Sequence, residues 1–230
     1  MKDTKLVAAS ASTIVRARRA LLQLALVGGL ALGAPALAQT APAEAGSEAP
    51  VILVVGDSLS AEYGLPRGAG WVTLLEQRLA TEGHAFQVIN ASISGDTTSG
   101  GASRLPNLLR THQPAVVIVE LGGNDALRGL PLRLSRDNLT RMVQRAQESG
   151  ARVVLASMQI PPNYGPTYTR EFQALFGEVA ETTGAALVPF LLEGIATDEA
   201  MFQADRIHPN EAAQPALLDN VWPVLVEQLP

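Results

Sequence analysis

AVVIVELGGND, residues 115–125, passes from a long apolar run directly into a glycine pair and two polar residues. The run Ala115–Leu121 suits a β-strand buried on both faces, the situation of strands in parallel sheets covered by helices. Similar short runs at Val51–Val55, Phe86–Ile89, Arg152–Ser157 and Ala186–Val188 predict four more strands. Helical segments lie between them. Trp71–Ala80 spaces Trp71, Leu74, Leu75 and Leu79 along one helical face. Further helices are predicted over Ala102–Leu109, over Leu134–Gln147 with Ser135 or Asp137 as cap, over Thr167–Thr182 after Pro166, and over Glu211–Glu227. Strand and helix alternate throughout, which predicts an α/β domain with a five-stranded parallel sheet and helices on both faces.

In open α/β sheets, ligands bind beyond the carboxyl ends of the strands. The residues that follow each predicted strand are therefore the site candidates: Gly56-Asp57-Ser58, Asn90–Asp96, Gly122–Asp125, and the loop Asp205–His208 before the last helix. A serine at a strand-to-helix turn can project its hydroxyl into the site and keep its own N–H free for an anion. Taken alone, Gly-Asp-Ser reads first as an ordinary N-cap serine. A serine nucleophile needs a base, and the base needs a carboxylate to fix its tautomer. His208, three residues after Asp205 and restricted by Pro209, can fill that part. Asp-x-x-His alone is also the pattern of a surface loop with a capping aspartate. His84 in a polar turn and His112 at a helix end suit solvated or capping roles. Gly95 and Asn124 lie where a glycine N–H and a side-chain amide can approach a substrate. With the Ser58 N–H they form three donors for a tetrahedral oxyanion, each worth about 3 kcal/mol of transition-state stabilisation.

Residues 1–38 read as an export signal. Lys2, Lys5, Arg16, Arg18 and Arg19 precede an apolar run over Ala20–Gly33, and Ala36-Leu37-Ala38 predicts cleavage before Gln39. A spanning anchor needs about 20 apolar residues; this run is shorter, carries glycines and ends at Pro35. Arg18-Arg19 also fits a twin-arginine route. Residues 39–50, rich in Ala, Pro and Glu, read as a flexible lead-in, and 51–230 as the folded domain. The chain holds 17 basic and 22 acidic residues; the first 38 carry five of the bases and one acid, leaving a mature net charge of −9. Such a surface argues against nucleic acid and against anionic lipid surfaces. The absence of cysteine excludes disulfides, a thiol nucleophile and lipidation through an N-terminal Cys.

The blocks Gly56–Ser60 (GDSLS), Asn90–Thr97 (NASISGDT), Val119–Gly129 (VELGGNDALRG), Pro162–Gly165 (PNYG) and Ile207–Pro215 (IHPNEAAQP) resemble, in order, those of the GDSL or SGNH hydrolase family. They are most similar to its bacterial periplasmic multifunctional esterases, which act on thioesters, lysophospholipids and aryl esters. The resemblance spans Val51 to the C-terminus. It implies a three-layer α/β/α sandwich of flavodoxin-like type, with Ser58, Asp205 and His208 catalytic and the Ser58 N–H, the Gly95 N–H and the Asn124 amide as oxyanion hole. It implies no metal and no cofactor; the expected partner is a small-molecule or lipid ester, and the chain is expected to act as a monomer. The segment Ser157–Tyr164 is slightly shorter than in those esterases.

Leu121, Leu127, Leu130, Ile160, Pro161 and Pro162 should gather near the strand ends as an apolar groove for an acyl chain, or else simply cover the sheet. A metal reading would recruit Asp57, Asp96 and Asp125 with Asp205 and His208; roles in turns and networks suit these aspartates better. Two other functions compete with a fatty-acyl esterase: a carbohydrate or peptidoglycan O-acetyl esterase, and a non-catalytic binding domain.

Overall fold

The computed structural model describes Ala49–Pro230. The export signal, its cleavage site and most of the lead-in lie outside the described residues.

Five strands form one sheet: β1 Val51–Gly56, β2 Gln87–Asn90, β3 Val116–Glu120, β4 Arg152–Ala156 and β5 Ala186–Val188. Every pairing is parallel and the order is β2-β1-β3-β4-β5. Ile52–Val55 of β1 and all of β3 are buried, as strands covered on both faces must be. Among the described residues six α-helices connect and cover the strands: α1 Trp71–Thr81, α2 Thr98–His112, α3 Gly123–Leu127, α4 Leu132–Glu148, α5 Pro166–Thr183 and α6 Gln214–Val226. Helices α1 and α6 pack together over one face, and α2, α4 and α5 form the other layer. Trp71, Leu75 and Leu79 meet Leu217 and Val221 in the first interface, while Leu105, Leu139, Met142, Phe172 and Phe176 fill the second. The predicted three-layer sandwich is the architecture found. Its strand order reverses between β1 and β3, so the crevice at their carboxyl ends is the topological switch point where such sheets bind ligands.

Helix α2 begins four residues before the predicted Ala102 and takes in Gly100, Gly101 and Pro106. Its start is fixed by polar groups that outweigh the glycines. The Thr97 side chain accepts the Gly100 N–H, and the Asp125 carboxylate accepts the Thr98 N–H at 2.9 Å. Gly101 is there for close packing: a Cβ would stand 2.3 Å from the Leu121 side chain. Helix α4 begins at Leu132 behind Pro131, so neither Ser135 nor Asp137 is its cap. Ser135 instead lies inside the helix, buried, and donates to Asp125 Oδ1 at 3.1 Å. Asp137 pairs with Arg133 on the surface. The predicted loop after β3 contains the short helix α3, and the last predicted helix is a 3-10 turn at Glu211–Ala213 followed by α6. Among the described residues no helix is long and apolar enough to cross a membrane.

Candidate active site

The turn that carries Ser58 is fixed from every side. The Gly56 N–H donates to Ser92 Oγ, and the Arg104 guanidinium donates to the Gly56 and Ala91 carbonyls. The Asp57 N–H donates to Glu120 Oε2 at 3.2 Å, and the Leu59 N–H to Asp57 Oδ1 at 3.1 Å. Ser58 itself is left half-buried, with its side chain aimed at the crevice.

His208 arrives on a different loop, 150 residues later. Its Nε2 lies 2.9 Å from Ser58 Oγ, and its Nδ1 lies 2.6 Å from Asp205 Oδ2. Asp205 Oδ1 also accepts the Ile207 and His208 N–H groups, so one carboxylate shapes the loop and orients the ring. Arg206 takes a left-handed φ of 58° within this tight turn. The loop is tied to the Ser58 side by Gln203, whose amide donates to the Tyr63 and Pro209 carbonyls while its N–H donates to the His208 carbonyl. Above all through the His208 backbone N–H, and with the imidazole and the Ile207 N–H assisting against partial burial, the Asp205 carboxyl is held down to about 2. It is therefore ionised at neutral pH and accepts the Nδ1 proton, which leaves Nε2 as the acceptor for the Ser58 hydroxyl.

The three predicted oxyanion donors sit on the loops after β1, β2 and β3. Gly95 has a φ of 77°, open to glycine at no steric cost, and its loop is pinned when the Ile93 N–H donates to the Gly56 carbonyl. Arg128 donates to the Gly95 carbonyl at 2.9 Å, joining the β2 and β3 loops. Gly122 has a φ of 119°, and a Cβ there would stand 3.2 Å from the Phe176 ring. That turn places Asn124 in the first turn of α3, where its amide donates to Asp57 Oδ2 at 2.8 Å and keeps a second N–H. The Ser58 and Gly95 N–H groups donate to no acceptor among the described residues. Ser58, His208, Asp205, Gly95 and Asn124 thus meet at one sheet edge. His84 and His112 precede β2 and β3 and lie at the opposite edge.

Leu127 is half-buried, Leu130 and Pro161 are exposed, and the Tyr164 and Tyr168 hydroxyls bond the Leu127 and Leu130 carbonyls. The loops after β3 and β4 are joined there. Ile160 and Leu121 are buried in the core and cover the sheet. Asp96 binds Arg104 at 2.8 Å, Asp125 binds Thr98 and Ser135, and Asp57 binds Leu59 and Asn124. Among the described residues no three His, Asp or Glu side chains converge as metal ligands.

Two residues near the centre, Tyr63 and Glu120, escaped the sequence reading, and a third was read only in part. Tyr63 lays its ring on His208, centroids 4.4 Å apart, and stays half exposed. Asp57 was legible as a turn and network residue. Glu120 hides in an apolar run and is fully buried; an acid in such a strand was its one available signal. Burial foremost raises the Asp57 carboxyl to about 6, against the Leu59 and Asn124 donors, and burial pushes Glu120 well up. Both groups bind protons more tightly folded than unfolded. Their contribution to stability is complete below the unfolded value of 3.8 for Asp57 and is lost as pH rises through about 6. Glu62 and Asp205 shift downward, so their contributions are already complete at pH 5. The melting temperature followed by circular dichroism should accordingly fall between pH 5 and pH 7.5; an increase would contradict the buried-acid assignment.

Residues 54–215 match the GDSL-like Lipase/Acylhydrolase family. The chain is 54% identical over 177 residues to Esterase TesA of Pseudomonas aeruginosa, covering 77% of this chain and 88% of the relative. It is 43% identical over 178 residues to an arylesterase of Vibrio mimicus, covering 77% and 89%. It is 40% identical over 171 residues to thioesterase 1/protease 1/lysophospholipase L1 of Escherichia coli, covering 74% and 81%. A crystal structure of TesA superposes with a TM-score of 0.76, covering 78% of this chain and 99% of the other.

Proposed function

The chain belongs to the GDSL-like lipase/acylhydrolase family and is an ester hydrolase; we propose that it works through an acyl-enzyme on Ser58. The single observation that carries this is the unbroken line from Ser58 Oγ to His208 Nε2 at 2.9 Å and from His208 Nδ1 to Asp205 at 2.6 Å. His208 takes the hydroxyl proton as Oγ attacks the carbonyl carbon, and Asp205 stabilises the imidazolium. The oxyanion is received by the Ser58 and Gly95 N–H groups and the Asn124 amide. The imidazolium then protonates the departing alcohol or thiol, and water repeats the sequence to release the acid.

The preferred substrates are carboxylic esters and thioesters with apolar parts on both sides of the scissile bond. Tyr63 and Ile207 are exposed beside His208, where the leaving group departs, which supports aryl leaving groups. Leu127, Leu130 and Pro161 on the joined β3 and β4 loops support an acyl chain longer than acetyl. The relatives named arylesterase and thioesterase 1/lysophospholipase L1 agree with that range. The enzyme acts as an exported monomer after cleavage of residues 1–38, consistent with the basic and apolar leader.

A series of p-nitrophenyl esters tests the substrate class. Expected is a kcat/KM that rises from acetate toward medium chains, with aryl and thioesters turned over faster than acetylated sugars. A sharp preference for acetate would favour an O-acetyl esterase instead.

A further inference from the structure

Two carboxyl groups lie beneath the nucleophile, and the acyl-transfer steps give neither of them a task. Asp57 is 3% exposed and Glu120 has no exposure. Neither bonds to a basic side chain among the described residues; their donors are a hydroxyl, an amide and backbone N–H groups. Glu120 Oε2 accepts the Ser60 hydroxyl at 2.7 Å and the Asp57 N–H at 3.2 Å, while Oε1 is buried with no partner. The register sets Gly56 beside Glu120, and a Cβ at residue 56 would stand 2.7 Å from both Glu120 Oε2 and Ser60 Oγ. The strand therefore gives up a side chain to make room for an acid. Burying two acids without a cation costs folding free energy, and such costs concentrate at functional sites.

The Asn124 amide is where the arrangement acts. An amide can present either its NH₂ or its oxygen, and only the NH₂ serves an oxyanion. An ionised carboxylate is an acceptor only. Asp57 Oδ2, 2.8 Å from Asn124 Nδ2, therefore admits one orientation. The flipped amide would set its oxygen against the carboxylate and offer a second oxygen to the oxyanion.

Resting on the acyl-enzyme reading above, we propose that Asp57 is a positioning residue of the reaction: its carboxylate locks the Asn124 amide with one N–H facing the oxyanion, and neutral Glu120 anchors Asp57 from below. Full burial, the unpartnered Oε1 and the absence of a cation keep Glu120 protonated. The single negative charge of the pair sits on Asp57, which has two donors of its own. The titratable groups facing Asp57 are Glu120 from β3, Asp96 from the loop after β2 and His208 from the loop before α6. Arg104 of α2 is bound to Asp96 and the Gly56 carbonyl. Burial and Asp96 push the Asp57 carboxyl up, and His208 pulls it down. Asp57 thus gains a proton within the pH range where histidines do. Protonation of Asp57 then unlocks the Asn124 amide as pH falls.

Steady-state kinetics with a p-nitrophenyl ester from pH 4.5 to 8 test this on wild type, Asp57→Asn, Asn124→Ala, the double variant and Ser58→Ala. The amide introduced by Asp57→Asn can donate as well as accept, so the lock is lost. Expected for Asp57→Asn is a kcat about 10–100-fold lower with KM within about twofold. Its acid limb should lose one proton relative to wild type. Its melting temperature at pH 7.5 should be no lower than wild type, because a costly buried charge is gone. In the Asn124→Ala background, Asp57→Asn should change kcat by less than about threefold, since both act on one donor. Additive losses, an unchanged kcat, an unchanged acid limb, or a variant too unstable for kinetics would each overturn the assignment. Turnover by Ser58→Ala would sink the acyl-enzyme itself; an inactive Ser58→Ala beside an unaffected Asp57→Asn would overturn only the role of Asp57.

Discussion

Replacing Ser58 with alanine should lower kcat toward a p-nitrophenyl ester by about 10⁴–10⁶-fold while leaving the protein folded. The loss is large because, among the described residues, Ser58 Oγ is the hydroxyl bonded to His208 Nε2, and water attack without the acyl-enzyme retains only the stabilisation of the oxyanion hole. Folding should survive because the turn is held by bonds that bypass the Ser58 side chain. The Gly56 N–H is bound to Ser92, the Asp57 N–H to Glu120 and the Leu59 N–H to the Asp57 carboxylate. A melting temperature within a few degrees of wild type is the matching expectation. His208→Ala should lose a similar amount, and the double variant little more, because the two side chains perform one proton transfer. Stopped-flow or overnight end-point assays reach the required sensitivity; wild-type turnover by the Ser58 variant would show the nucleophile to be elsewhere.

The next largest effect is expected at Asn124. Its alanine variant should lose about 10²–10³-fold in kcat with little change in KM, because the amide gains its bond as negative charge develops on the carbonyl oxygen. The glycine turn at Gly122 and the short helix α3 do not depend on the Asn124 side chain, so the backbone that presents it should persist. A KM effect with unchanged kcat would instead make Asn124 a ground-state contact. Rates measured under saturating substrate, together with circular dichroism of the variant, separate these outcomes.

Much of this architecture could be read from the chain because its elements are locally consistent. The buried runs in β1 and β3 and the helical spacing in α1 agree with their final environments, and parallel sheets place their loops at one edge. The meeting of Ser58, Asp205 and His208 was legible for the same reason: each follows or precedes a predictable element. Where the reading fell short, tertiary contacts overrode local preference. Helix α2 starts at Thr98 despite Gly100 and Gly101 because Asp125, distant in sequence, accepts the Thr98 N–H and hydroxyl. Ser135 sits inside α4 rather than capping it because the same carboxylate claims its hydroxyl. Glu120 was hidden because a single acid in an apolar strand has no partner that sequence can reveal; its partners, Asp57 and Ser60, lie about 60 residues earlier. Tyr63 gave no signal because its importance is its stacking on a ring 145 positions away, brought near by the bonds of Gln203.

That a hydroxyl, an imidazole and three hydrogen-bond donors converge on one carbonyl is tested most directly by covalent trapping. The protein should be treated with diethyl p-nitrophenyl phosphate and then analysed by intact and peptide mass spectrometry. The account predicts one phosphoryl adduct per chain, on Ser58, forming at the rate at which activity disappears and slowed greatly by His208→Ala. Loss of activity with Ser58 unmodified, or equal labelling of the Ser58→Ala variant, would contradict it.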